Sequence, residues 1–147
     1  MGMSYSFMDV TGTLVGPGGV IDLGHGAAVA EEGITITTAG NRNTMTVGAD
    51  GSGMHNLNAN KSGTVTITLL QTSPINAKLQ TMYNLQSQNA AMWGKNIISV
   101  SNTVSGDKTV CSSCAFQKKP DVIYKKDGAT VSWVFDALSI DTILGTY

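Results

Sequence analysis

The sequence KSGTVTITLLQTSPINAKLQTMYNLQ, residues 61–86, predicts a β-strand that leads directly into an α-helix. In its first part, Val65, Ile67 and Leu69 alternate with threonines. A period of two is typical of a strand with one buried and one solvated face. The sequence therefore predicts a strand over 62–70 whose aliphatic side chains belong to the core.

The second part of the same stretch carries the signals of a helix over 74–87. Ser73 is a residue type that caps helices, and Pro74 suits the first helical position. The residues at helical spacing form one stripe: Ile75, Leu79, Met82, Tyr83 and Gln86. A helix with a single apolar stripe is expected to pack against a sheet. We therefore place Leu79 and Met82 in the core, together with Trp133 from the last strand.

Length and charge exclude several classes of protein. The 147 residues suit one domain, 1–147, and only 13% are charged, with a net charge of −1. There is no basic surplus to displace counterions from phosphates, so sequence-independent nucleic-acid binding is not expected. No apolar run approaches the roughly 20 residues that cross a membrane. The first residues lack the regions of a signal peptide, which predicts a protein made in the cytosol.

The rest of the sequence predicts short strands separated by turns. Gly16–Gly19, 105–107 and Lys125–Gly128 are turn sequences, the last with Asp-Gly at a hairpin tip. We expect loops at 24–32, where one helical turn is the alternative, and at 48–60. The further predicted strands are 5–15, 20–23, 34–37, 44–47, 97–102, 108–117 and 129–135. The predicted fold is mainly β, a β-sandwich or half-barrel with one flanking α-helix.

The solvated faces of these strands carry threonine and asparagine instead of lysine and glutamate. Exposed sheet edges usually carry charged side chains, because their unpaired backbone N–H and C=O groups could otherwise pair with a strand of another chain. Strands that lack such charged side chains are candidates for pairing between subunits.

One pattern in the sequence has a chemical alternative. Cys111-Ser112-Ser113-Cys114 has the spacing of a redox pair or of half a zinc site. No second such pair exists, and the histidines, at 25 and 55, lie far away in glycine-rich segments. The pair also falls inside a strand pattern, so we expect two reduced structural thiols.

Other candidate sites have plainer interpretations. Residues 24–29, GHGAAV, superficially resemble a dinucleotide fingerprint, but no βαβ unit follows. Glu31-Glu32 is expected to be solvated, and Trp93 is expected to pack in the core or at an interface. The sequence predicts no catalytic residue, no metal ligand and no cofactor.

The order and extent of several segments resemble a known family. The chain is similar to contractile-tail phage structural proteins, namely the tail tube proteins, and more broadly to the type VI secretion tube proteins. The segments that carry the likeness are SYSFMDVTGTLVGPGGVIDLGHGAAVAEEGITIT at 4–37, NKSGTVTITLLQTSPINAKLQTMYNLQ at 60–86, AMWGKNIISVSN at 91–102, SGDKTVCSSCAFQKKPD at 105–121 and KKDGATVSWVFDA at 125–137.

The resemblance implies a subunit of hexameric rings, stacked helically into a hollow tube inside a contractile sheath. One sheet of each subunit would join its neighbours into a continuous barrel around a lumen through which DNA is ejected without specific binding. The implied partners are further copies of the chain, the tail sheath, baseplate and terminator proteins, and a tape-measure protein in the lumen. The implied location is the virion tail, assembled in the host cytoplasm, with no membrane insertion and no enzymatic activity.

The resemblance also assigns residues to roles. The lumen-facing set would be Thr35, Thr37, Thr44, Thr46, Thr64, Thr66 and Thr68. A loop that bridges to another subunit or ring would contain Gly48, Asp50, Gly51, Met54, His55, Asn56 and Leu57. Two alternatives stay open: another virion component, such as a baseplate, sheath-adjacent or capsid-decorating β domain, and an enzyme or metal-binding module built on Cys111 and Cys114.

Overall fold

The computed structural model describes residues 10–24, 29–102, 104–121, 123, 124, 126, 128 and 130–145, with side chains described outside 24–32. This part of the chain forms nine strands and one helix. They are β1 (Val10–Gly16), β2 (Gly19–Gly24), β3 (Val29–Thr38), β4 (Asn43–Val47), β5 (Gly53–Leu57), β6 (Gly63–Leu70), α1 (Ile75–Gln86), β7 (Asn96–Asn102), β8 (Lys108–Lys118) and β9 (Thr130–Ile143).

Seven of the strands form one antiparallel sheet in the order β2-β1-β7-β8-β9-β6-β3. The edge strands are therefore β2 and β3. In the half of the sheet formed by β9, β6 and β3, Ile67 of β6 pairs with Trp133 of β9 and with Ile34 of β3. The remaining strands, β4 and β5, form a separate two-stranded hairpin.

The sheet bends sharply where β8 and β9 lie side by side. Cys114 pairs with Ala137 and Cys111 with Ile140, and all four residues are buried although they lie three positions apart in each strand. Regular alternation would place such residues on opposite faces. Ser113, with a φ of 52°, takes the left-handed conformation that allows both cysteines to face inward. Strands that change sheets at such bends form the corners of sandwiches and half-barrels.

This bend curls the sheet around its own core. A side chain on Gly12 of β1 would place its Cβ 3.2 Å from Cδ1 of Ile34 on β3. These strands lie near opposite ends of the strand order, so the sheet has rolled until its two ends approach each other. The fold is mainly β, a curled half-barrel with one helix, as the sequence predicted.

Helix α1 packs on the buried side of this sheet through its predicted apolar stripe. Ile75, Leu79, Met82 and Gln86 are all buried. The helix begins one residue later than predicted, and the backbone N–H of Ile75 donates to Ser73 Oγ at 3.3 Å. Pro74, not Ser73, is therefore the N-cap residue, and it makes no side-chain capping hydrogen bond, so the prediction of Ser73 as the cap and Pro74 as the first helical residue is shifted by one position.

Aromatic side chains connect the helix to the sheet. The ring of Phe116 on β8 lies 5.5 Å from that of Tyr83 on α1, 4.5 Å from that of Phe135 and 5.9 Å from that of Trp133, centroid to centroid. Two of these contacts are edge-to-face, a favoured arrangement for aromatic pairs. Burial of this cluster stabilises the seam between helix and strands.

A buried pair of amides fixes the far end of the helix. Gln86 Nε2 donates to Asn96 Oδ1 at 2.7 Å, and Asn96 Nδ2 donates back to Gln86 Oε1 at 2.9 Å. Gln86 Nε2 also donates to the carbonyl oxygen of Pro17 at 2.9 Å. The pair therefore joins the end of α1, the start of β7 and the turn between β1 and β2.

The structure corrects two loop predictions. Residues 48–60 are not one loop, because Gly53–Leu57 forms strand β5 against β4. The turn between β4 and β5 brings the two strands together, although the residues of β5 have little intrinsic preference for a strand. Residues 24–32 are not a loop throughout, because β3 begins at Val29 and continues through an irregularity where Gly33 has a φ of 61°.

Some predictions fall on residues outside the described part of the chain. These are the first half of the strand predicted over 5–15, residues 25–28, and positions 125 and 127 of the Lys125–Gly128 hairpin. The described part contains nine strands, one more than the eight ranges predicted from the sequence, because β5 falls in the segment predicted as a loop.

Candidate functional site and assembly surfaces

The threonines of β6 lie on the opposite side of the strand from Val65, Ile67 and Leu69, which are fully buried. Thr64 and Thr66 are partly exposed, whereas Thr68 is buried. Strand register places Thr37 beside Thr64 and Thr35 beside Thr66. We call the surface formed by Thr35, Thr37, Thr64, Thr66, Thr68 and their β9 neighbours Ser132, Val134 and Asp136 the threonine face.

The threonine face is polar and carries little charge. Two charged residues of opposite sign belong to its register, because Asp136 pairs with Thr64 and Lys118 of β8 pairs with Val134. The side chain of Gln117 donates to Asp136 Oδ1 at 3.2 Å. The hydroxyls of Thr68 and Ser132 lie 3.4 Å apart. Hydroxyl groups on neighbouring strands can satisfy each other, so this face needs no partner of opposite charge to be stable.

The other half of the sheet, formed by β1 and β7, also carries hydroxyls on its outer side, and these are not among the residues predicted from the sequence. Thr11 and Ser101 lie 2.9 Å apart, and Thr13 pairs with Ser99. The alternation in VTGTLVG and NIISVSN was the available signal.

Thr44 and Thr46 do not lie beside the other predicted lumen residues. They belong to the separate β4–β5 hairpin, where Asn58 Nδ2 donates to Thr44 Oγ1 at 3.2 Å and Asn56 Nδ2 donates to Thr46 Oγ1 at 3.2 Å. The expected neighbourhood with Thr64, Thr66 and Thr68 is therefore wrong for these two. Alternation indicates which residues share a face but not which sheet the strand joins.

The predicted bridging segment forms the end of this hairpin. Gly48, Asp50 and Gly51 lie in the turn, and Met54, His55, Asn56 and Leu57 lie in β5. Asp50 Oδ1 accepts hydrogen bonds from the hydroxyl of Ser52 at 2.7 Å and from its N–H at 3.1 Å. These bonds, first that from the hydroxyl, lower the pKa of Asp50.

One face of the hairpin is apolar and exposed. Register places Met45 opposite His55 and Asn43 opposite Leu57, so Met45, Val47 and Leu57 share a face. Their exposed fractions are 62%, 58% and 80%. A lone two-stranded hairpin is marginally stable in water. The hairpin therefore presents an apolar surface whose burial against another chain would stabilise it.

The six residues predicted for the core are all buried: Val65, Ile67, Leu69, Leu79, Met82 and Trp133. Trp93 lies at the edge of the aromatic cluster, 6.0 Å from Tyr83 between centroids. The side chains of Glu31 and Glu32, and residue 25 of the glycine-rich segment, lie outside the described part.

The cysteines at the bend are free and buried. Burial raises the pKa of Cys111 to about 11 and that of Cys114 to about 12, the latter with a contribution from Cys111. A thiol with such a pKa supplies almost no nucleophilic thiolate near neutral pH. Among the described residues no group of three or more His, Cys, Asp or Glu side chains could hold a metal ion. In the same part of the chain, no helix is long and apolar enough to span a membrane.

Solved structures with the same fold come from contractile injection systems. The chain matches the tube-terminating cap of the anti-feeding prophage with a TM-score of 0.60 and 12% identity, covering 99% of this chain and 95% of the other. It matches a chain of the sheath-tube complex of an extracellular contractile injection system, PVC, in its extended state, with a TM-score of 0.54 and 10% identity, over 90% and 88% of the two chains. At these identities the likeness shows the fold alone.

The sequence itself matches a family model over nearly its whole length, while no curated protein matches it. That model, described as the bacteriophage PhiTE tail tube protein, aligns with residues 3–145. The core of the half-barrel, the threonine face and the hairpin all fall within these residues. The chain therefore belongs to the PhiTE tail tube protein family and is a structural component of a phage tail.

Proposed function

We propose that this chain is the tail tube subunit that assembles into stacked, hexameric rings and forms the conduit for DNA ejection. The observation that carries the proposal is the threonine face on a sheet whose edge strand β3, after Glu31 and Glu32 in its first half, has no charged residue from Gly33 to Thr38. Such an edge can accept another strand. Joining edges between copies closes the sheets into a barrel, which leaves no edge exposed.

In this proposal the threonine face lines the lumen. Its inward-facing set is Thr35, Thr37, Thr64, Thr66 and Thr68. A conduit must let DNA pass without retaining it, and lysines or arginines there would bind phosphates through counterion release. Uncharged hydroxyls make up most of the face, and its two charged residues, Asp136 and Lys118 opposite Val134, have opposite signs, so the face has no basic surplus.

The hairpin supplies the second contact between copies. Met45, Val47 and Leu57 would be buried on an adjacent subunit of the same ring or of the next one. Thr44 and Thr46, on its polar face, then belong to this contact and reach the lumen only if the hairpin itself does. Burial of these apolar side chains would stabilise both the hairpin and the stack, at roughly 25 cal/mol per Å² of apolar surface.

The proposed partners are further copies of the chain, the sheath, baseplate and terminator proteins, and a tape-measure protein in the lumen. Assembly would take place in the host cytoplasm, and the role would be passive, without catalysis. The sheath-tube complex and the tube-terminating cap named for the solved neighbours support the sheath and terminator proteins among these partners.

Negative-stain electron microscopy of the purified full chain tests the proposal. We expect rings with a central hole, and tubes when other tail components are added. A chain that stays monomeric under every condition contradicts it. The alternative, a baseplate or capsid-decorating role, predicts few copies per virion or a position on the head. Quantitative mass spectrometry of intact particles distinguishes the two, because a tube subunit must be among the abundant proteins.

A further inference from the structure

The half of the sheet that carries the threonine face has a free edge on each side. Its strands lie in the order β8-β9-β6-β3, and β3 forms one edge. The other edge is the second half of β8, because β7 pairs with β8 only between Lys108 and Cys114. Residues 115–118 pair with β9, and no other strand among the described residues pairs with them.

These two edges run in opposite directions. Each neighbouring pair of strands in this half is antiparallel, so three reversals separate β8 from β3. Subunits of a ring are related by rotation about its axis, which keeps the direction of each strand relative to that axis. A contact between β3 of one copy and residues 115–118 of the next is therefore antiparallel. Within one copy two strands separate the edges, at about 4.8 Å per strand, so the edges cannot pair with each other there.

A cavity opens beside residues 115–118. Its volume is about 640 Å³, and its lining includes residues 93–95 of the turn before β7 together with Ser113 and Ala115 of β8. Thr64 and Asp136 also line it, so the cavity continues onto the threonine face. The turn before β7 therefore does not fill the space next to Ala115.

The charges of the two edges are complementary at one end. Strand β8 ends at Lys118, which is followed by Lys119, and both side chains are exposed. Strand β3 carries Glu31 and Glu32 in its first half. Antiparallel pairing places the start of one strand near the end of the other, so the acidic pair of one copy comes near the basic pair of the next. Lys118 also lies 3.9 Å from Asp121, but an ion pair of this length between exposed side chains contributes little.

Other pairings of edges fit a ring less well. Pairing of β3 with β3, or of β8 with β8, uses the same surface on both copies and closes a dimer, not a larger ring. The contact of β8 with β8 also places lysines near lysines, which is unfavourable. Strand β2 carries Asp22 and belongs to the other half of the sheet, so a strand added there would not extend the threonine face.

From this combination we infer that β3 of one copy pairs with residues 115–118 of β8 of the next copy. The lysine pair at the end of β8 selects the acidic start of β3 and so fixes the direction in which copies join. The inference rests on the proposed function and deepens it, because it names the two surfaces that meet in the ring. It extends the threonine face from one copy to the next without a break.

Carbodiimide crosslinking of the unmodified full chain tests this pairing. The reagent activates a carboxylate, which then forms an amide with a lysine amine in contact with it. Rings assembled from a mixture of isotope-labelled and unlabelled chains reveal links between copies by mass spectrometry. We expect links between copies from Glu31 or Glu32 to Lys118 or Lys119. Links between copies from these glutamates to other lysines only, or none from these glutamates, overturn the inference.

Charge reversal measures how much these residues contribute to assembly. Lys118→Glu/Lys119→Glu, or Glu31→Lys/Glu32→Lys, should raise the concentration for half-maximal ring formation about tenfold, because attractions become repulsions. Analytical ultracentrifugation follows the assembly. The chain with all four substitutions should return to within about threefold of the unmodified chain, since opposite charges again lie near each other. A fourfold variant that assembles no better than either double variant contradicts the pairing.

The matched control is Lys78→Glu/Lys108→Glu, which makes the same change in net charge at exposed lysines outside both edges. It should assemble within about twofold of the unmodified chain, because salt screens charges that lie far from the contact. Combined with Glu31→Lys/Glu32→Lys, it restores the net charge but should not restore assembly. Recovery in that chain as complete as in the fourfold variant would mean that net charge governs assembly, and would overturn the inference.

The unmodified chain separates this inference from the proposed function. Absence of rings in the unmodified chain under every condition counts against the proposed function, and the pairing fails with it. Rings that form equally well in the unmodified chain and in every charge variant, with crosslinks at other surfaces, leave the proposed function standing and overturn the pairing alone.

Discussion

The buried amide pair of Gln86 and Asn96 gives the sharpest prediction about stability. Asn96→Ala removes both reciprocal hydrogen bonds and leaves Gln86 Oε1 buried without its donor, while Gln86 Nε2 keeps the carbonyl of Pro17. One lost hydrogen bond is worth about 1 kcal/mol, and a buried unsatisfied group costs about 1–3 kcal/mol. We therefore expect the free energy of unfolding to fall by about 2–4 kcal/mol.

For a chain of this length, a loss of this size lowers Tm by about 5–15 °C. Urea unfolding followed by tryptophan fluorescence, at a concentration where the chain is monomeric, measures the free energy directly. A double-mutant cycle with Gln86→Ala should give a coupling energy of about 1–3 kcal/mol.

The same helix provides a matched control. Gln80 Nε2 donates to Asn84 Oδ1 at 2.9 Å, but this amide pair is exposed. Gln80→Ala should change stability by at most about 0.5 kcal/mol, because water replaces the lost bond. If Asn96→Ala is as mild as Gln80→Ala, or if the cycle shows no coupling, the reasoning about the buried pair is refuted.

Three further predictions concern the core and the bend. Phe116→Ala should lower the free energy of unfolding by about 3–5 kcal/mol in urea titrations, and a loss below about 1 kcal/mol would contradict the central place of its ring. Gly63→Ala should lower the free energy of unfolding by about 1–3 kcal/mol, because the new Cβ would clash with the carbonyl oxygen of Thr37. A loss well below about 1 kcal/mol would contradict this, since it would mean that β3 and β6 move apart there at little cost. The folded pKa values of Cys111 and Cys114 lie above the usual 9.0, so the folded state retains protons that the unfolded state loses, and stability should fall as pH rises above about 9. The double Cys→Ala variant should lose this part of the alkaline slope, and an identical slope in both chains would contradict the raised pKa values.

Much of the fold could be predicted from local patterns. The alternation of Val65, Ile67 and Leu69 with threonines predicted both the strand and its buried face. Strict alternation that continues over eight residues indicates a half-buried strand. Helix α1 was predicted for a similar reason, since a capping serine, a proline and an apolar stripe all indicated the same element.

What local patterns left undetermined depends on long-range pairing. Strand β5 has a weak strand sequence, GMHNL, and forms because its turn brings it against β4. The two cysteines are both buried at a bend where Ser113 adopts a positive φ, and no spacing rule reveals such a bend. The pairing of Asn96 with Gln86 was also not predicted. Asn96 follows Gly94 and Lys95, and asparagine in such a sequence is typical of an exposed turn.

We propose that copies of this chain join around a hollow centre lined by the threonine face. A cryo-electron microscopy reconstruction of the rings or tubes formed by the full chain would show whether they do. We expect a continuous barrel in which Thr64, Thr66 and Thr68 point into the hollow and the sheet edges are paired between subunits. A reconstruction in which these threonines face the sheath side, or in which the edges of neighbouring sheets do not meet, would contradict it.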